Sequence, residues 1–217
     1  MATYLIDMTR ADMQRRLPEA LDIYVDAMRY PRGTESQRAS MWLEHTERRG
    51  WRAVAAVETD LPAEESGRAE ESGRTEESGR TEESGRAEQL AAAPLLGVAY
   101  GYRGAPDQWW QQQVLRGLHR VGFSRDETTR LMGDYFELTE LHIAPDAQGR
   151  GLGEALARRL LTDRDEANVL LSTPETNGEA NRAWRLYRRL GFTDIIRGYH
   201  FSGDPRAFAI LGRTLPL

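Results

Sequence analysis

The apolar positions change period repeatedly along this chain, and each change predicts an element. Ala11 to Arg29 and Thr34 to Arg49 read as helices, with Pro18 marking a break or a start in the first. Trp51 to Val57 and Leu95 to Tyr102 are short apolar runs of strand length. Gln108 to His119 and Asp126 to Met132 return to helix, and Tyr135 to Ile143, rich in β-branched, aromatic and aliphatic residues, predicts a strand. Beyond it Leu152, Ala155, Leu156, Leu160 and Leu161 fall at helical spacing, and Val169 to Thr173 is a short strand. Ala183, Leu186, Tyr187 and Leu190 recur at i, i+3, i+4 and i+7, an apolar stripe that Gly191 is suited to end. Thr193 to Phe201 and Phe208 to Leu211 close the chain as strands around Gly203-Asp204-Pro205. The interleaving predicts an α/β fold.

One stretch has no such period. Glu64 to Ala87 writes Glu-Glu-Ser-Gly-Arg-Ala/Thr four times without a large apolar residue, so it buries too little surface to offset the entropy of ordering. The expectation is a disordered insertion over about 60–93, lengthening the connection between two strands at modest entropic cost. Setting the 24 repeat residues aside leaves 193, enough for one domain with one core spanning 1–217. The repeat's 8 Glu and 4 Arg carry −4 of the chain's net −5, which leaves −1 for the rest. That balance suits neither nucleic acid nor an anionic membrane.

Cysteine is absent, which excludes disulfides, a cysteine acyl-enzyme and Cys-containing zinc sites. The four histidines, at 45, 119, 142 and 200, lack ligand spacing, so no metal is expected. The N-terminal residues lack a signal-peptide core, and no apolar run approaches the ~18–20 residues needed to span a bilayer; the expected address is the cytoplasm.

The candidate chemistry sits at Leu141-His142-Ile143-Ala144-Pro145-Asp146-Ala147-Gln148-Gly149-Arg150-Gly151-Leu152-Gly153, where the strand passes into a helix through three glycines. Glycine lets backbone amides converge on a ligand where the helix dipole favours negative charge. A phosphate loop would need Gly-Lys-Ser/Thr, but Glu154 and Ala155 follow Gly153. A dinucleotide fingerprint counted from Gly151 would meet Leu156 at its third glycine. The stretch instead resembles the cofactor signature of the GNAT N-acetyltransferase superfamily, matching it at Ile143, Pro145, Gln148, Gly151 and Gly153. A second segment, Asn181 to Phe192, resembles that family's Ala-x-x-Leu-Tyr-x-x-x-Gly-Phe helix.

The resemblance implies a single GNAT-like domain with a mixed, mostly antiparallel central sheet flanked by helices. It implies acetyl-CoA as cosubstrate, its pyrophosphate held by the amides of Gln148, Gly149, Arg150, Gly151, Leu152 and Gly153 and its pantetheine arm by main-chain groups of Leu141, His142 and Ile143. The family's helix commonly carries an Asn seven residues before the Tyr, where this chain has Ala180; Asn181 stands one position late, with Arg182, Arg185 and Arg188 available to meet phosphate. By the same resemblance Tyr187 faces the thioester sulfur as proton donor. A primary amine is protonated at neutral pH and needs a base. Glu137 falls where some family members carry theirs, and Glu140 is the second candidate. Strict alternation puts the two on opposite faces, with Glu137 beside Thr139 and Leu141, unless a bulge intervenes. The implied reaction is acetyl transfer from acetyl-CoA to a primary amine by direct attack, on a small molecule or a peptide; the alternatives are a non-catalytic CoA-binding module or another acyl donor. The acceptor pocket carries no legible motif, and edge strands near the C-terminus leave room for a homodimer.

Overall fold

The computed structural model of the protein describes residues 1–61, 85–175 and 181–217. The chain runs β1 (Ala2–Met8), α1 (Arg10–Met28), α2 (Thr34–Thr46), β2 (Arg52–Thr59), a helical segment α3 over 85–92, β3 (Leu95–Arg103), α4 (Trp109–Arg120) and α5 (Arg125–Met132). It continues with β4 (Tyr135–Ile143), α6 (Leu152–Leu161), β5 (Asn168–Pro174), α7 (Arg182–Arg189), β6 (Thr193–Tyr199) and β7 (Phe208–Thr214). The strands form one sheet in the order β1-β2-β3-β4-β5-β7-β6. Only β4 and β5 are parallel; every other pair is antiparallel. This is the single α/β GNAT-like architecture that the two motifs imply. No helix among the described residues is long and apolar enough to cross a membrane.

Two local expectations change. Pro18 lies inside α1 and neither breaks nor starts it. The proline removes one backbone donor, but Met13, Leu17, Ala20, Leu21, Tyr24 and Val25 bury a stripe on both sides of it, and a Thr9–Asp12 capping box fixes the start. The N-terminal residues, assigned to no element from sequence, form edge strand β1, paired with β2 from Ala2↔Thr59 to Met8↔Ala53. Of the expected unstructured insertion, 62–84 lie outside the described residues, while 85–92 are helical. That helical end is held by Arg16, which donates to the carbonyls of Ala91 at 3.2 Å and Ala93 at 2.6 Å. Tyr4 meets both flanks, donating to the Leu61 carbonyl at 2.9 Å with Arg86 over its ring.

The sheet separates two packed layers. Helices α6 and α7 cover one face with Leu156, Leu160, Trp184 and Leu186 against Val54, Ala99, Phe136 and Leu138. Helices α1 and α2 cover the other over Ala55, Val98, Tyr100 and Tyr102, and α4 and α5 extend that layer over Tyr135 and Leu170.

Candidate active site

Strand β4 departs from strict alternation at its centre. Against β3, Gly101 pairs with Leu138 and Tyr100 with Glu140, so Thr139 is the extra residue of a bulge. Phe136 and Leu138 face α6 and α7, and Leu141 and Ile143 pack against that same layer. Glu137, Glu140 and His142 therefore all point to the α1–α2 side, which overturns the grouping of Glu137 with Leu141. Gly101 permits the irregularity, since a Cβ there would land on the Glu137 carbonyl.

Beside the bulge the sheet opens. The β4–β5 pairing stops at Glu137↔Leu170, so from Leu138 onward one edge of β4 has no strand beside it among the described residues. Leu141, His142 and Ile143 lie on this uncovered edge, their other side paired to Ala99, Val98 and Gly97.

The carboxylates sit in different surroundings. Glu137 is 4% exposed; its Oε1 accepts from the Tyr102 hydroxyl at 3.3 Å and its Oε2 has no partner. Burial pushes its carboxyl up to about 8, opposed by the charge of Arg48 and the Tyr102 hydrogen bond and aided by Glu140. Glu140 is half-buried, with Oε2 2.5 Å from His142 Nε2. The His142 ring stands edge-on to Tyr24 at 4.9 Å. Nearby, His45 Nδ1 is 3.0 Å from the Tyr100 hydroxyl; burial and the charges of Arg48 and Arg38 push His45 down to about 3 and keep it neutral.

At the end of β4 the turn is shaped by Gly149 at φ 86° and Gly151 at φ 79°, left-handed conformations that favour glycine. Among the described residues no acceptor takes the amides of Gln148, Gly149, Arg150, Gly151, Leu152 or Gly153. The last of these open α6, where the helix dipole adds positive potential. Gly153 packs tightly, since a Cβ would come within 3.2 Å of Leu186 Cδ2. Gln148 bridges the two sequence motifs, its Nε2 donating to the Ile143 carbonyl at 3.2 Å and its Oε1 accepting from Arg182 Nη1 at 2.7 Å.

An uncovered strand edge, a turn whose amides have no acceptor among the described residues and a buried carboxyl on the strand thus lie together at the end of β4. A sequence profile described as an acetyltransferase (GNAT) domain matches residues 110–194, which include both motifs. A GCN5-like protein acetyltransferase of Mycobacterium tuberculosis is 70% identical over 217 residues, 100% of each chain. The chain belongs to the GNAT acetyltransferase family.

Solved structures place this GNAT acetyltransferase in the same fold. Arabidopsis thaliana NAA60 in complex with acetyl-CoA superposes with a TM-score of 0.57 at 15% identity, covering 99% of each chain. The ribosomal-protein-S18-alanine N-acetyltransferase of Escherichia coli superposes with a TM-score of 0.54 at 18% identity, covering 100% of this chain and 96% of its own. At these identities the likeness is one of fold.

Several side chains predicted at the cofactor site have structural work. Arg150 donates to Glu58 and Thr3, both at 2.7 Å, which leaves its amide to the turn. Asn181 caps α7, its Oδ1 accepting from the Ala183 amide at 2.9 Å; Ala180 lies outside the described residues. Arg188 turns to Asp194 at 2.7 Å, away from the cofactor turn. Tyr187 is buried on the α6–α7 side, its hydroxyl pushed up by burial and by the charge of Glu140 across the opening. Gly191 at φ 80° ends α7 in a Schellman motif, Phe192 N–H donating to the Tyr187 carbonyl and Gly191 N–H to Arg188. That closure fixes where the Tyr187 ring stands. On the α1–α2 side that Glu137, Glu140 and His142 face, sequence reasoning did not anticipate the buried aromatic cluster of Tyr24, Trp42, Tyr100 and Tyr102. Its one visible trace was the i, i+2 pairing of Tyr100 and Tyr102 around Gly101.

Proposed function

We propose that this GNAT acetyltransferase moves the acetyl group of acetyl-CoA onto a primary amine by direct attack, without a covalent enzyme intermediate. The observation that carries the reading is the bulged β4 strand, which turns Glu137 and Glu140 toward the acceptor layer while its end opens into the amide-lined turn. Acetyl-CoA, when bound, supplies an activated acyl carbon and a thiolate leaving group. Glu137 is the base: with its carboxyl raised to about 8 it is mostly protonated at neutrality, and the carboxylate fraction, which grows as pH rises through that value, takes the ammonium proton, directly or through water. Tyr187 returns a proton to the departing sulfur; held neutral by burial, its hydroxyl is a donor at every working pH. The amides of 148–153 bind the pyrophosphate, and the free edge of Leu141, His142 and Ile143 holds the pantetheine arm.

The 70% identical relative is named a protein acetyltransferase, so polypeptide amines are the first acceptors to offer. The test follows free thiol released from acetyl-CoA over a panel of peptides and small amines. Wild-type protein is expected to turn over, and Glu137→Gln to lose roughly 10²-fold or more in rate. Binding without thiol release by any acceptor would leave a CoA-binding module instead. Loss of rate in Glu140→Gln with Glu137→Gln unaffected would move the base to Glu140.

A further inference from the structure

Arg38 on α2 is a half-buried cation that forms no ion pair among the described residues, although Asp204 lies near enough to feel its charge. Its Nη1 reaches only the Met41 thioether, at 3.7 Å, and no carboxylate among the described residues forms an ion pair with it. Other arginines of this region are neutralised: Arg32 meets Asp22, Asp26 and Glu35, and Arg206 meets Asp204 at 2.6 Å. Withdrawing a guanidinium partly from water without a partner costs solvation and stabilises nothing in the free protein. One turn along the same face of α2, the Trp42 indole is buried and its Nε1 donates to nothing.

From Trp42 a chain of side-chain contacts leads to Glu140. The Trp42 ring stands 5.7 Å from Tyr24, Tyr24 stands 4.9 Å from His142, and His142 Nε2 is 2.5 Å from Glu140. Outward, Tyr24 meets Tyr30 at 5.4 Å, and Arg206, in the connection between β6 and β7, stacks over Tyr30. Arg38 lies one turn from Trp42 on α2, and its charge is felt at Tyr24, His45 and Asp204. The line of contacts thus runs from α2, which carries Arg38 and Trp42, through Tyr24 and His142 to Glu140.

We infer that Arg38, with the Trp42 indole N–H beside it, forms an anion subsite that takes a carboxylate next to the acceptor amine, so that the preferred acceptors are amines in acidic polypeptide segments. The inference rests on the acetyltransferase reading. An Asp or Glu beside the reactive amine meets the guanidinium in a charge-assisted, bidentate pair, while a basic neighbour meets like charge and is rejected.

The test uses three peptides, each with one reactive amine and identical except for Glu, Ala or Arg on either side of it. All 29 basic residues of the chain are arginine and none is lysine, so side-chain acetylation reports on the peptide alone. Wild type is expected to show a KM about tenfold lower for the Glu peptide than for the Arg peptide. Arg38→Gln should collapse that difference, Arg38→Lys keep part of it, and Arg38→Glu reverse it. Equal KM values in wild type, or a preference that survives Arg38→Gln, would overturn the inference alone. Free aspartate used as well as the Glu peptide would overturn the polypeptide source. No transfer to any peptide while small amines still release thiol would overturn this inference alone, and no thiol release with any amine would overturn the acetyl-transfer reading and this inference with it.

Discussion

In the proposed mechanism Glu137 couples activity to stability through a single proton. Its carboxyl stands at about 8 in the folded protein against 4.5 in the unfolded chain, so the folded state binds the proton more tightly. That contribution to stability is fully present below pH 4.5 and is lost as pH rises to about 8. Glu137→Gln, which never ionises, should therefore melt higher than wild type at pH 8.5 and close to it at pH 5, measured by thermal denaturation across that range. Equal melting curves at both pH values would show that Oε2 finds a partner the fold does not display. The same proton predicts that kcat/KM rises with pH through about 8 and that the Gln variant lacks this limb. Tyr187→Phe removes only a hydroxyl and should lower kcat by roughly 10²-fold with KM for acetyl-CoA little changed. A fall in affinity instead would make the ring a packing element alone.

The elements themselves were largely readable. Strand β4 begins at Tyr135 and ends at Ile143 as its composition predicts, and α7 ends at the glycine chosen for it. What the pattern missed was the phase of β4. A single extra residue at Thr139 reverses which face Glu137 shares with its neighbours, and bulges are set by the partner strand, here by Gly101 across the ladder. Strand β1 escaped because an edge strand of this length is half-exposed and shows little contrast between its two faces. Two predictions belong to elements. Gly151→Val should abolish tight acetyl-CoA binding, because φ 79° is strained for a β-branched residue although a Cβ there meets nothing. Replacing 62–84 by a short Gly/Ser linker should leave the melting temperature within a few degrees, since Tyr4 holds both flanks and loop length costs little. A collapse of the transition would assign that segment a part in the core.

At the scale of the molecule, one strand divides two tasks. In the proposed reaction its end and free edge take the cofactor and its bulged centre faces the acceptor, beside the α1–α2 layer. The cofactor half was legible because it is main-chain geometry, which demands glycine at fixed places. The acceptor half was not, because it is assembled from single side chains of α1, α2, β3 and β4 that no spacing relates. The most direct test is calorimetric titration of acetyl-CoA into the intact protein and into Gly151→Val. Saturable binding by wild type, weakened at least tenfold in the variant, is the predicted result. Absence of heat with folded wild-type protein at millimolar acetyl-CoA would contradict the account.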